Sequence, residues 1–109
     1  MSRESIGEFE QLVLLAILRL GREAYGISIL SEIKKQTGRK VLRPAVYVAL
    51  KRLEDKELVR ARIADPSPRR GGRPRKYFDV APAGLARLQE SRKALMKMWE
   101  GVHTVLEEA

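Results

Sequence analysis

Apolar residues recur along the first twenty positions at the spacing of a helix. Phe9, Leu12, Val13, Ala16, Ile17 and Leu20 keep the 3.6-residue stripe. Leu14, Leu15 and Leu18 place apolar groups on the other side as well. A helix that is apolar nearly all round is covered twice, and in so small a domain one cover is expected from a second subunit. Ser5 and Glu8 have the spacing of a capping box, and Gly21, preceded by Arg19, reads as the stop. A second helix is predicted from about Glu23 to Thr37, with Tyr25, Ile29 and Ile33 as one stripe and Ile27 and Leu30 beside it. Lys34 and Lys35 fall in its last turn and Gly38 follows. Gly26 inside that helix costs roughly 1 kcal/mol relative to alanine, which points to the close approach of another backbone. A third helix opens at Pro44, where a preset φ and a missing N–H do no harm. Val46, Ala49, Leu50 and Leu53 form its core face. Arg43, Tyr47, Val48, Lys51 and Arg52 lie largely off it, and the helix should end near Lys56.

The period then changes from 3.6 to 2. From Leu58 to Ala64, Val59, Ala61 and Ile63 alternate with Arg60 and Arg62, as on a strand. Asp65 to Pro74 (DPSPRRGGRP) is too rich in proline and glycine for helix or sheet interior. Arg75 to Val80 reads as the returning strand, with Tyr77 and Phe78. One long last helix is expected from about Pro82 to Glu107. It carries two apolar seams: Leu88, Leu95, Met98, Val102 and Val105 on one, Leu85, Met96, Trp99 and Leu106 on the other. Two seams imply two partners, and the domain itself can supply one. There is no internal repeat.

The chain has 109 residues, enough for one small domain. Its formal charge is +8, and the surplus is local: residues 39–76 hold 13 basic and four acidic side chains. Such clustering favours a polyanionic partner. The chain has no cysteine and a single histidine, His103. That excludes thiol chemistry, cysteine-based metal sites and multi-histidine sites, so no metal and no cofactor are expected. No phosphate loop, zinc-protease or nucleophile-elbow motif occurs. Glu54 and Asp55 point in different directions on a helix and read as solvated charges. The chain is therefore not expected to be an enzyme. No apolar run approaches the ~18–20 residues of a membrane span, and the N-terminus does not read as a signal peptide. The expectation is a cytoplasmic protein that does not engage membranes.

Three helices, the third basic and opened by proline, then an arginine-rich two-stranded ribbon and a last helix, give the order of a winged helix-turn-helix. The fold class is mainly α (α+β). Residues 1–80 are expected to form the DNA-binding unit and residues 81–109 a long C-terminal dimerisation helix, together one structural unit. In such domains the third helix enters the major groove, which is about 12 Å wide, with its N-terminal residues foremost. Arg43 would lead. Ala45 and Val48 are small enough to touch a thymine methyl, Tyr47 can donate to a phosphate, and Lys51 can reach a phosphate or a guanine edge. Arg39 and Lys40 precede the helix on the same basic stretch. In the ribbon tip, Arg69, Arg70 and Arg73 lie among glycine and proline, which suits phosphate or the narrow minor groove. The tip is reminiscent of an AT-hook, with Gly-Gly-Arg-Pro in place of Arg-Gly-Arg-Pro.

An ordered set of residues carries a family resemblance. It comprises Phe9-Glu10 with the Leu12–Leu20 run, Ala24-Tyr25-Gly26, Thr37-Gly38 and Ala45-Val46-Tyr47. It continues through Leu50 and Arg52-Leu53-Glu54 to Arg70-Gly71-Gly72-Arg73-Pro74 and Tyr77. In these the chain resembles the PadR family of bacterial transcriptional regulators over nearly its full length, in the short form with a single terminal helix. The resemblance implies a homodimer built from the first and last helices, binding to double-stranded operator DNA, and repression. Phe9, Leu14, Leu95, Met98, Trp99, Val102 and Leu106 are the residues expected at the dimer contact. Relatives in the multidrug-sensing branch place a tryptophan at the dimer centre, where planar aromatic ligands stack, and Trp99 looks like that residue. A plain dimer-core tryptophan is the alternative. Two further functions stay open, a regulator that is chiefly a sensor of aromatic small molecules and a non-specific nucleic-acid-binding protein. The chain departs from the family twice. Glu57 stands where glycine is common after the third helix, so the turn is expected to differ or to carry about 1–2 kcal/mol of strain. Ala81 stands where a threonine usually caps the last helix, at a loss of roughly 1 kcal/mol.

Overall fold

The computed structural model describes residues 6–64 and 74–108. Helix α1 (Glu8–Leu20) is followed by a single 3₁₀ turn (Gly21–Glu23), then α2 (Gly26–Thr37) and α3 (Arg43–Asp55). Strands β1 (Val59–Ala64) and β2 (Arg75–Val80) pair antiparallel, from Val59 opposite Val80 out to Ala64 opposite Arg75. Helices α4 (Pro82–Trp99) and α5 (His103–Glu108) end the chain. This is a winged helix. Val13, Leu14 and Ile17 of α1 meet Ile29 and Ile33 of α2 and Val46, Leu50 and Leu53 of α3 in one buried cluster, closed on the sheet side by Leu58, Val59 and Phe78.

Glu57 sits at φ 60°, so the left-handed turn is kept without glycine. The Leu58 N–H donates to the Leu53 carbonyl at 2.9 Å and the Glu57 N–H to that of Glu54 at 3.0 Å, which together close the end of α3. The same turn seats α4. The Ala81 N–H donates to the Leu58 carbonyl at 2.9 Å, and a methyl group on Gly84 would collide with that carbonyl oxygen. Ala81 is the N-cap and offers α4 no side-chain bond, as its lack of a hydroxyl requires.

Several boundaries differ from the periodic reading, each for a physical reason. Helix α1 starts after Gly7, whose N–H donates to Glu10 Oε1 at 3.3 Å, whereas Ser5 lies outside the described residues. Helix α2 starts at Gly26 and not near Glu23. Ala24 and Tyr25 are instead drawn into the sheet: the Phe78 N–H donates to the Ala24 carbonyl at 2.9 Å, and Tyr25 bridges Tyr77. Tyr25 thus becomes the N-cap, and its own N–H donates to Ser28 Oγ at 2.9 Å. Val59, Ala61 and Ile63 alternate with the arginines as read, but Val59 is buried and Ile63 exposed, because the ribbon has left the core by that point. The long last helix is broken. Gly101 at φ 76° ends α4, and Val102 lies in the turn before α5. Past Leu88 the helix no longer packs on the core cluster, so the local preference of glycine decides.

Candidate nucleic-acid interface

Helix α3 buries Val46, Ala49, Leu50 and Leu53 and turns Arg43, Pro44, Ala45, Tyr47, Val48, Lys51 and Arg52 outward. The 3.6-residue period makes both faces at once. The outward crest is part basic and part apolar: Tyr47 and Val48 are 48% and 53% exposed. On one flank of the crest, Pro44, Ala45, Val48 and Arg52 border the start of α1 at Gly7–Glu10. On the other flank lies a groove of about 740 Å³. Tyr47, Lys51 and Glu54 of α3 form one wall, Pro74, Arg75 and Lys76 of the ribbon another, and Tyr25 to Ile27 the head of α2. The outward face of α3 and the outer end of the ribbon therefore share one surface.

The ribbon is fastened to the head of α2 by packed rings. The Arg75 guanidinium carbon lies 4.0 Å from the Tyr25 ring centre, and the Tyr25 and Tyr77 rings meet edge to face at 5.7 Å. Arg62 covers Tyr77 at 4.8 Å, donates to the Arg22 carbonyl at 2.7 Å and pairs with Asp79 at 3.2 Å. Two arginines thus clamp two tyrosines, joining β1 and β2 to the head of α2. An arginine held over a ring has less freedom to lose when it meets an anion.

The cations of this surface fall into two sets. Arg39 is paired with Glu8 at 2.7 Å, Lys51 with Asp55 at 2.7 Å and Lys76 with Glu54 at 3.0 Å. The Arg39 guanidinium, through its hydrogen bond and charge, holds the Glu8 carboxyl below the usual carboxylate range. The hydrogen bond from Lys51 to Asp55, with the charge of that carboxylate, raises the Lys51 ammonium above its ordinary value. Lys40, Arg43 and Arg60 make no ion pair among the described residues. Among the described residues no three His, Asp or Glu side chains gather as a metal site, and no helix is long and apolar enough to cross a membrane.

The sequence model of the PadR-like family of transcriptional regulators matches residues 14–90. The chain belongs to this family. It is 31% identical over 103 residues to an uncharacterised protein of Lysinibacillus sphaericus, covering 93% of this chain and 86% of the other. Its fold is similar to that of a PadR family regulator of Eggerthella lenta, at 28% identity and a TM-score of 0.67, over 94% of this chain and 88% of that one. A PadR family regulator of Clostridium difficile superposes at 0.67 with 23% identity, over 92% and 96%. PadR-like regulators bind DNA and typically dimerise.

Within that family frame, Arg43, Ala45, Tyr47, Val48 and Lys51 stand together on the exposed face of α3, and Arg39 and Lys40 stand just before it. Arg69, Arg70 and Arg73 lie outside the described residues. The residues expected at the dimer contact do not all face outward. Leu14 is fully buried inside the protomer and corrects that expectation: it is one of the core residues of α1, and Leu15 and Leu18 take the outward positions. Phe9 is half-buried against the same core. Leu95, Met98, Trp99, Val102 and Leu106 are exposed. Leu95 and Trp99 line a groove of about 480 Å³ between α4 and α1, opposite Leu15 and Leu18. Arg75 and Lys76, which open the returning strand, belong to the groove, and so does Tyr25. The signal for Tyr25 was the Ala24-Tyr25-Gly26 triplet, in which the small residues flank the one ring.

Proposed function

We propose that the protein is a homodimeric, cytoplasmic repressor that reads a pseudo-palindromic operator. Residues 1–80 would bind DNA and residues 81–109 would dimerise, as one structural unit. Helix α3 enters the major groove with Arg43 foremost, Ala45 and Val48 against thymine methyls, and Tyr47 and Lys51 on phosphates or base edges. The ribbon, with Arg69, Arg70 and Arg73, follows the adjacent backbone or minor groove. Two such helices lie about one DNA turn apart, roughly 34 Å.

The observation that carries this reading is the shared groove, where the outward face of α3 and Arg75 and Lys76 of the wing line one surface. Support for the dimer comes from the row of exposed apolar residues on α4 and α1, including Leu15, Leu18, Leu95, Met96 and Trp99. A single chain leaves that row uncovered, and it is larger than the scattered apolar exposure ordinary for a monomer. The test is selection of bound sequences from a random DNA pool. A motif with two-fold symmetry is expected; absence of an enriched motif overturns operator reading and leaves non-specific binding.

A second reading has its own observation. Trp99, the single tryptophan, borders the apolar groove between α1 and α4. A planar aromatic effector stacking there would quench its fluorescence and change operator affinity. If a broad panel of such compounds produces no quenching, Trp99 is a plain dimer-core residue.

A further inference from the structure

Two carboxylates stand in the last turn of α3, Glu54 and Asp55, where the helix dipole disfavours negative charge. Each holds one cation of the groove. Asp55 Oδ1 accepts from Lys51 Nζ at 2.7 Å, one turn back on the same helix. Glu54 Oε1 accepts from Lys76 Nζ at 3.0 Å, across from β2. Lys51 and Asp55 are largely exposed, and exposed ion pairs add little to the stability of a fold. Acids at the wrong end of a helix, on a face meant for a polyanion, break a local rule at a functional site without a matching structural gain.

We propose that Glu54 and Asp55 are specificity-determining residues, internal counter-ions that compete with DNA phosphates for Lys51 and Lys76 and so suppress binding to DNA of the wrong sequence. This rests on the reading of α3 and the wing as the DNA surface. On a random duplex the protein rests on phosphates without seating α3. A lysine already bound to a carboxylate then displaces no counter-ion from the DNA, and the carboxylate faces the anionic backbone. When α3 seats fully on a matching sequence, base edges and close phosphates offer each lysine a nearer partner, and the internal pair is exchanged. Lys40 and Arg60, which lie outside α3 and have no such partner among the described residues, supply the attraction common to all DNA. The carboxylates therefore lower random affinity more than operator affinity.

The experiment compares wild type, Glu54→Gln and Asp55→Asn by fluorescence anisotropy across a salt series. The probes are a labelled random-sequence duplex and the duplex recovered by selection. Each variant should bind the random duplex about three- to tenfold more tightly, with the log–log salt slope steeper by about 0.9 per lysine released. Operator affinity should rise less, so the ratio of operator to random affinity falls. In a Lys51→Ala background, Asp55→Asn should give no gain. Unchanged or weaker random binding by both variants overturns the proposal. So does a gain that persists without Lys51, which would reflect net charge alone. A wild type that binds neither duplex in a salt-dependent way removes the DNA-surface reading itself, a separate outcome seen before any variant is compared.

Discussion

The ring of Tyr47 lies directly on Gly26: a methyl group at Gly26 would stand 2.6 Å from the phenol oxygen and 2.7 Å from two ring carbons. The contact joins the outward face of α3 to the first turn of α2. It also explains the glycine, since what approaches closely is a side chain and not a second backbone. Alanine at Gly26 should therefore evict the ring while leaving the helix in place, because Gly26 is the first residue of α2 and its φ does not lie in the left-handed region. Gly26→Ala is expected to leave thermal unfolding within a few degrees of wild type and to weaken DNA binding about tenfold. Calorimetry and anisotropy titration on the same preparation check both halves. Loss of stability with full binding would mean that the Tyr47 position does not matter to DNA.

Tyr25 supports Arg75 in the same manner. The guanidinium lies 4.0 Å above its ring, and the ring is braced edge-on by Tyr77. Tyr25→Phe keeps the platform and should bind DNA as wild type does. Tyr25→Leu removes the π face and should cost about 0.5–1 kcal/mol of stability, together with a several-fold loss of DNA affinity. The discriminating measurement is the pair of dissociation constants. Equal affinities for the two variants would show that Arg75 needs no support.

Much of this arrangement was legible in the residues. The 3.6-residue stripes of Val46, Ala49, Leu50 and Leu53 located the inner face of α3, and by subtraction its outer one, because one helix period fixes both. The shift to alternation after Leu58 located the ribbon. What escaped depended on partners distant in sequence. Tyr25 fits a helical stripe with Ile29 and Ile33, yet its bridge to Tyr77, with Ala24 bonded to Phe78, holds it extended. Leu14, Leu15 and Leu18 are alike in chemistry, and only the packed register says which of them turns inward. The Lys76–Glu54 pair was invisible until β2 was set beside α3, whereas Lys51 and Asp55, one turn apart on a single helix, already stood at the spacing of an ion pair.

That register yields a contrast on one helix. Leu14 is fully buried and Leu18 is 47% exposed. Leu14→Ala should destabilise the fold by about 2–5 kcal/mol, the transfer loss plus the cavity left behind. Leu18→Glu should leave secondary structure intact and shift sedimentation from dimer toward monomer, since it sets a charge on the apolar surface formed with α4. A stable dimer of Leu18→Glu would place the subunit contact elsewhere.

The turn after α3 carries strain that can be removed. Glu57 holds φ 60° and closes the helix through the Leu58–Leu53 and Glu57–Glu54 bonds, a geometry that glycine adopts at no steric cost. An L-residue there costs about 1–2 kcal/mol, against which glycine loses part of the gain through the greater freedom of its unfolded chain. Glu57→Gly should therefore raise stability by about 0.5–1 kcal/mol, a rise in Tm of a few degrees for a domain of this size. Glu57→Ala keeps the side-chain penalty and should give no such gain, which separates backbone relief from loss of the carboxylate. Thermal unfolding of the two variants decides the matter: if alanine stabilises as much as glycine, charge at the end of α3, and not backbone geometry, is the source.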